Sequence, residues 1–262
     1  LQTISSRNTC EIGAHLHPWA NPPYYGKTGE EESHVVNLPV DQVEKKLDAL
    51  IELLNNAFGV MPNSFRTGRW GINGDVLHLL EKKGLQIDSS MHPFYRNQYF
   101  DCDRTPLEPY WPDFDDPMSK SVQRNLIEIP VTVGFNRPNH QLMRPVYNTI
   151  THPHLHHLHL VALLWHTHLL RKLYLSPEVT DADDMHTLVD FVLSNNLPVI
   201  HMYFHSSSLV DGATGFMEQD NAFDVICNNI RSVVDYTQSK ANTRFCTISE
   251  AATLLKHRDR SL

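Results

Sequence analysis

Apolar residues recur at helical spacing over 40–58 (VDQVEKKLDALIELLNNAF), where Val40, Val43, Leu47, Leu50, Ile51, Leu54 and Phe58 fall on one stripe. Gly59 follows and stops the predicted helix. The same spacing predicts a helix over 73–83 on Val76, Leu77, Leu79 and Leu80, closed by Gly84. A third helix runs over 181–195, capped by Thr180, with Met185, Leu188, Val189 and Val192 inward. A fourth spans 218–239 on Phe223, Ile226, Ile230, Val233 and Val234, and Ser249 caps a last one. Shorter β-like runs lie between them, at 10–15, 64–68, 85–89, 126–133, 197–205 and 245–248. Strands separated by helices of this length predict an α/β fold with a parallel sheet or barrel. In such folds the chemistry collects at the C-terminal strand ends.

Two stretches do not fit this alternation. Residues 92–125 are rich in Pro, Asp, Tyr and Trp and read as a long loop, a length that usually carries function. Residues 151–172 (THPHLHHLHLVALLWHTHLLRK) read as a helix on Leu155, Leu158, Val161, Leu164, Trp165 and Leu169. Its histidines (His152, His154, His156, His157, His159, His166, His168) lie all around that helix, so a wet face is expected rather than a metal tract.

Composition narrows the class. With 262 residues, 41% of them hydrophobic and 20% charged, the chain reads as one globular domain, 1–262. A net charge of −8 argues against nucleic acid as a partner. Cys10, Cys102, Cys227 and Cys246 form no CxxC pair and read as free thiols. No apolar run reaches the ~18–20 residues of a membrane span. No signal peptide is visible, and location is left between cytoplasm and cell envelope. The first residue is Leu1, which reads as a processed chain, an excised domain or a fragment.

Seventeen histidines turn attention to metal-assisted hydrolysis. His15 and His17, one residue apart at the end of the first strand, are the candidate ligands of a divalent ion, zinc by preference. His205 is the candidate acid that protonates a leaving nitrogen. Asp88 is the candidate carboxylate that orients it. Arg66 would hold a base carboxylate in its ionised form.

The ordered segments EIGAHLHPW, SFRTGRWGIN, LQIDSSMHPF, LYLSPE and MYFHSSSL resemble the polysaccharide deacetylase superfamily, the NodB-type carbohydrate esterases, and within it the WalW-like subgroup. The resemblance runs from about residue 10 to about residue 248. It implies a distorted (β/α)7 TIM-like barrel and a bound divalent metal. It also implies removal of acetyl groups from the amino sugars of a cell-surface polysaccharide or its precursor. His15 matches the family's metal histidine. Trp19 stands where the family has a second histidine, and His17 is the candidate replacement. Arg66, Asp88 and His205 match motif residues that steady the base, support the acid and act as the acid. Tyr203 falls where an aliphatic residue helps line the acetyl pocket. Trp70, Tyr203, Tyr110 and Trp111 are the candidate sugar-binding residues, and Tyr95 and Tyr99 add aromatic surface in the same long loop. The family's acidic pair at the first barrel strand has no counterpart in LQTISSRNT, so the barrel is expected to lack its first β/α unit.

Two further readings stay open. In an amidohydrolase-type barrel His-x-His is itself a metal signature, His201 or His205 would join it, and the substrate would be a small non-sugar C–N compound. A non-catalytic glycan-binding remnant would keep the scaffold and lose turnover.

Overall fold

The computed structural model describes residues 2–7, 9–152, 154–155, 159–217 and 220–258. They form two compact units, one of residues 1–130 with 245–262 and one of residues 131–244.

The first unit carries α1 (Gln2–Ser5), β1 (Ala14–Leu16), α2 (Val40–Phe58), β2 (Ser64–Thr67), α3 (Gly74–Lys82), β3 (Ile87–Asp88), β4 (Ile127–Glu128) and, from the chain's end, α8 (Ile248–Arg258). Its four strands form one parallel sheet in the order β1-β2-β3-β4. Parallel neighbours need a crossover, and α2 and α3 supply the first two. The register pairs His15 with Arg66, Phe65 with Asp88, and Asp88 with Glu128. Val43, Leu47 and Leu50 of α2 and Val76, Leu77 and Leu80 of α3 bury their stripes with Ala14, Leu16 and Phe65 in one core. Gly59 takes a left-handed φ of 69° at the end of α2, the conformation a C-terminal glycine supplies without strain.

Lys46 also lies inward on α2 and is only 3% exposed. Its Nζ donates to the carbonyls of Pro18, Asn21 and Pro23 at 2.9, 2.7 and 2.6 Å. A buried ammonium is tolerated because its three donors are all satisfied.

The second unit carries β5 (Val133–Phe135), α4 (His140–Ile150), α5 (Leu160–His166), β6 (Lys172–Tyr174), α6 (Ala182–Ser194) and α7 (Ala222–Lys240). β5 and β6 pair antiparallel. Met185, Leu188 and Val189 of α6 pack with Leu173, Leu175 and Val233 in this unit's own core.

Several expectations change. The run 126–133 is not one strand. It breaks around Pro130, which has no N–H for a ladder, and the unit boundary falls there. The segments 197–205 and 245–247 lie in no ladder, and Ile248 already opens α8. In the first of them, single bonds join Thr132 N to the His201 carbonyl and Tyr203 N to the Leu175 carbonyl. The cap of α6 is Asp181, whose Oδ1 accepts from Asp184 N, while Thr180 is buried. At the last helix Thr247 and Glu250 make a reciprocal capping box, and Ser249 is instead bonded to Glu11. The histidine-rich helix shrinks to α5, which buries none of its residues. His156, His157 and Leu158 lie outside the described residues. A mixed α/β fold with a parallel sheet is therefore what the chain has.

Candidate active site

In the first unit the polar side chains sit at the C-terminal ends of the parallel strands. His15 and Arg66 are register partners, so they project from the same face of the sheet. His15 is exposed and Arg66 half-buried. His15 Nδ1 lies 3.0 Å from the Arg66 carbonyl, which can only accept, so this nitrogen carries the proton. In the neutral ring that leaves the lone pair on Nε2. His17 Nε2 lies 3.0 Å from it, and the two rings meet edge-on with centroids 4.6 Å apart.

The backbone around His17 is built to hold that ring. Its N–H donates to Asn21 Oδ1 at 2.7 Å, and its carbonyl accepts from Ala20 and Asn21. Gly68 gives the imidazole its seat, because a Cβ there would overlap the ring. Gly68→Ala is expected to push His17 off His15 and to cost about 1–3 kcal/mol as an overpacked contact. Loss of the shared Nε2 signal in imidazole nitrogen NMR, with a lowered urea midpoint, checks this.

The fit of this pair to a metal is partial. Two Nε2 atoms 3.0 Å apart match the spacing of two ligands on one ion, and the Arg66 carbonyl fixes the His15 tautomer as metal-binding imidazoles require. A hydrolytic zinc site takes about three protein ligands. Among the described residues no group of three His, Cys, Asp or Glu side chains is placed to hold an ion. Among the described residues the donor set is short of that number.

Arg66 is held by Ser89. Its Nε donates to the Ser89 carbonyl at 2.9 Å and its Nη2 to Ser89 Oγ at 2.8 Å. Its guanidinium lies 5.3 Å from the centre of the Trp70 ring. Trp70 has a φ of 62°, a conformation a bulky residue adopts only when its surroundings enforce it. Its half-buried ring also meets the edge of buried His92 at 5.0 Å.

Asp88 stands beside Glu128, which lies inside the apolar run 126–133. Both are buried register partners. Asp88 Oδ1 accepts from Ser90 Oγ at 2.6 Å, and Glu128 Oε1 accepts from Met91 N at 3.2 Å. Burial raises both pKa values, and the neighbouring Asp88 charge pushes Glu128 well above the carboxylate range. Two buried carboxyls side by side thus favour holding a proton over carrying two charges.

A raised carboxyl pKa means the folded chain holds a proton that the unfolded chain has released. Stability from this pair then falls as pH rises above the usual carboxylate range. Glu128→Gln keeps the size of the side chain and removes its titration. Melting temperatures at pH 5 and pH 8 are expected to differ less in the variant than in the wild type.

Tyr110 and Trp111 are corrected. They were expected to present sugar-stacking faces, and they are core residues, 2% and 9% exposed. Tyr110 exchanges backbone bonds with Glu128 at 3.0 and 2.8 Å, which lays this part of the long loop along β4. Its hydroxyl donates to the Pro117 carbonyl.

In the second unit His205 is exposed and its partner is Glu178, whose side chain is 1% exposed. His205 Nδ1 donates to Glu178 Oε1 at 2.8 Å, and His205 N donates to Oε2 at 3.2 Å. Ser208 Oγ also donates to Oε2. Burial opposes ionisation of Glu178, but the bonds from His205 and Ser208 outweigh it and hold its pKa below the usual value. Glu178 thus gives His205 the support expected of Asp88. The sequence signal was present, as Glu178 ends the quoted LYLSPE. Tyr203, two residues before His205, is half-buried and donates its N–H to the Leu175 carbonyl. Phe216 stacks on the imidazole at 5.4 Å.

The class these observations define is an α/β protein with a parallel sheet and polar residues at its strand ends. No protein-family profile matches the chain. No curated protein matches it either. Among solved structures it is similar to a crystal structure described as a "putative polysaccharide deacetylase from Mycobacterium smegmatis", with 24% identity and a TM-score of 0.32. That match covers 50% of this chain and 34% of the mycobacterial chain. No helix among the described residues is long and apolar enough to cross a membrane.

Proposed function

We propose that this chain is a deacetylase-like hydrolase that cleaves the acetamide C–N bond of an amino sugar in a glycan. The observation that carries the reading is the His205–Glu178 pair, an exposed imidazole whose Nδ1 is held by a buried carboxylate. The ordered motif resemblance points the same way. With Nδ1 donating to Glu178, Nε2 is the nitrogen that exchanges protons with substrate. In amide hydrolysis a water oxygen bonds to the acetyl carbon, the C–N bond breaks, and the nitrogen must gain a proton to leave as an amine. His205 Nε2 delivers that proton as imidazolium, Glu178 stabilises the positive ring, and the proton released by the attacking water recharges the imidazole. The resemblance also implies a divalent metal, zinc by preference, as a Lewis acid. His15 and His17 are the residues that would hold it.

The substrate test compares acetate release from a chitooligosaccharide with ring opening of a small cyclic amide, zinc supplied to both. Acetate release alone supports the proposal. Turnover of the cyclic amide alone replaces it with the amidohydrolase reading. A second reading, glycan binding without turnover, is favoured by the two-imidazole donor set. It predicts affinity for the oligosaccharide and no acetate.

A further inference from the structure

The residues expected to stack on sugar, Tyr110 and Trp111, are buried, yet another stretch of the first unit presents aromatic rings to solvent. Trp19, Tyr24 and Tyr25 are 43%, 64% and 45% exposed. All three belong to residues 17–25, which follow β1 directly. We infer that Trp19, Tyr24 and Tyr25 form a carbohydrate-binding platform beside His15 and His17, built to stack on the pyranose rings of an acetamido-sugar chain.

Three features argue for this. The first is continuity with the candidate site. The Trp19 ring meets His17 with centroids 4.5 Å apart, and His17 meets His15. A sugar lying on Trp19 lies next to the histidine pair.

The second is rigidity. Lys46 Nζ gathers the carbonyls of Pro18, Asn21 and Pro23, and the same ammonium lies 5.6 and 5.5 Å from the centres of the Tyr24 and Tyr25 rings. The Tyr24 hydroxyl donates to the Ala20 carbonyl at 3.1 Å. Arg69 lies 5.2 Å from the Trp19 ring centre and is itself tied to Glu30 and Ser33. Rings fixed before a ligand arrives cost little ordering entropy when it binds.

The third is chemistry. One face of a pyranose ring is a row of C–H groups that packs on a flat aromatic ring, while its edges are hydroxyls. Exposed Tyr and Trp with nearby charged donors meet both needs. A nucleic acid strand also stacks on aromatic rings, but the net charge of −8 opposes it.

This inference rests on the glycan reading above, and the test separates the two. Binding of chitotetraose is measured by isothermal titration calorimetry for wild type, Trp19→Ala and Tyr24→Ala/Tyr25→Ala. Phe223→Ala, also on an exposed ring at 57%, is the control. Acetate release from a small monosaccharide substrate is followed in parallel. Both platform variants are expected to bind about tenfold more weakly or worse, as removal of one stacking ring does elsewhere, with the control unchanged. Because the rings are exposed, melting temperatures should stay at the wild-type value. Equal affinity in wild type and variants overturns the platform and leaves the proposed function standing. Monosaccharide turnover without any chitotetraose affinity does the same. Absence of both binding and turnover removes the platform and the hydrolase reading together.

Discussion

His205→Ala is expected to lower acetate release by about 10²-fold or more, the usual contribution of a positioned proton donor. The reason is local to the second unit. One ring nitrogen is held by Glu178, and alanine removes that ring and its proton. Glu178→Gln tests the same pair differently. A glutamine can still accept from Nδ1 through its carbonyl oxygen, but its amide nitrogen then faces the His205 N–H, so the charge and one acceptor are lost while the Nδ1 bond is kept. Its activity is expected to fall less than that of His205→Ala, with most of the loss in kcat. The pH profile should move as well. Bonds from His205 and Ser208 keep Glu178 ionised below the usual carboxylate range, so the stability it adds is present above that range and fades only as pH drops through its lowered pKa. The wild-type acid limb is therefore expected to lack a Glu178 titration near its ordinary value. A Glu178→Gln variant with unchanged kcat and unchanged profile would leave the carboxylate a structural role only.

Lys46→Met is expected to cost about 3–5 kcal/mol, the largest stability loss of any single change discussed. It removes one buried cation and leaves the carbonyls of Pro18, Asn21 and Pro23 without their donor, at about 1–3 kcal/mol for each that stays dry. The neighbouring Lys45 is a matched control. Its side chain is 62% exposed and its ion pair with Asp41 spans 3.9 Å, so Lys45→Met should stay within about 0.5 kcal/mol of wild type. Urea unfolding of the two variants gives the comparison directly. Equal midpoints would mean that water reaches the three carbonyls and that residues 17–25 do not depend on Lys46. The change should also loosen His17 and Trp19, because both sit in the stretch that the ammonium gathers.

Much of the fold was legible where local pattern and packing agree. The stripe over 40–58 gives α2 with the same bounds, because burial of one face and a C-terminal glycine both mark it. Strand ends that carry His15, Arg66 and Asp88 were also readable, since the parallel arrangement puts them on one edge. The segment 197–205 was not. Its apolar, β-branched run fits a strand, but laddering depends on which neighbours the chain brings alongside, and composition carries no record of that. Lys46 was invisible for a similar reason. A lysine inside an amphipathic pattern reads as a wet residue until the three carbonyls from 18–23 are seen to converge on it. Glu128 lay hidden within an apolar run, where only the register reveals that it sits beside Asp88. Glu178 lies within the LYLSPE segment, but its role is not legible there, since 27 residues separate it from the histidine it holds. Tyr110 and Trp111 show the converse error. Aromatic residues in a long loop were read as exposed, but large rings gain most by burial, and the loop folds back along β4 to bury them.

Acetate release from chitotetraose by the purified chain, followed by proton NMR with zinc supplied, tests the central claim most directly when wild type and His205→Ala are run side by side. The account predicts acetate from the wild type and a loss of about 10²-fold or more in the variant. No acetate from the wild type, or equal release from both, would contradict it.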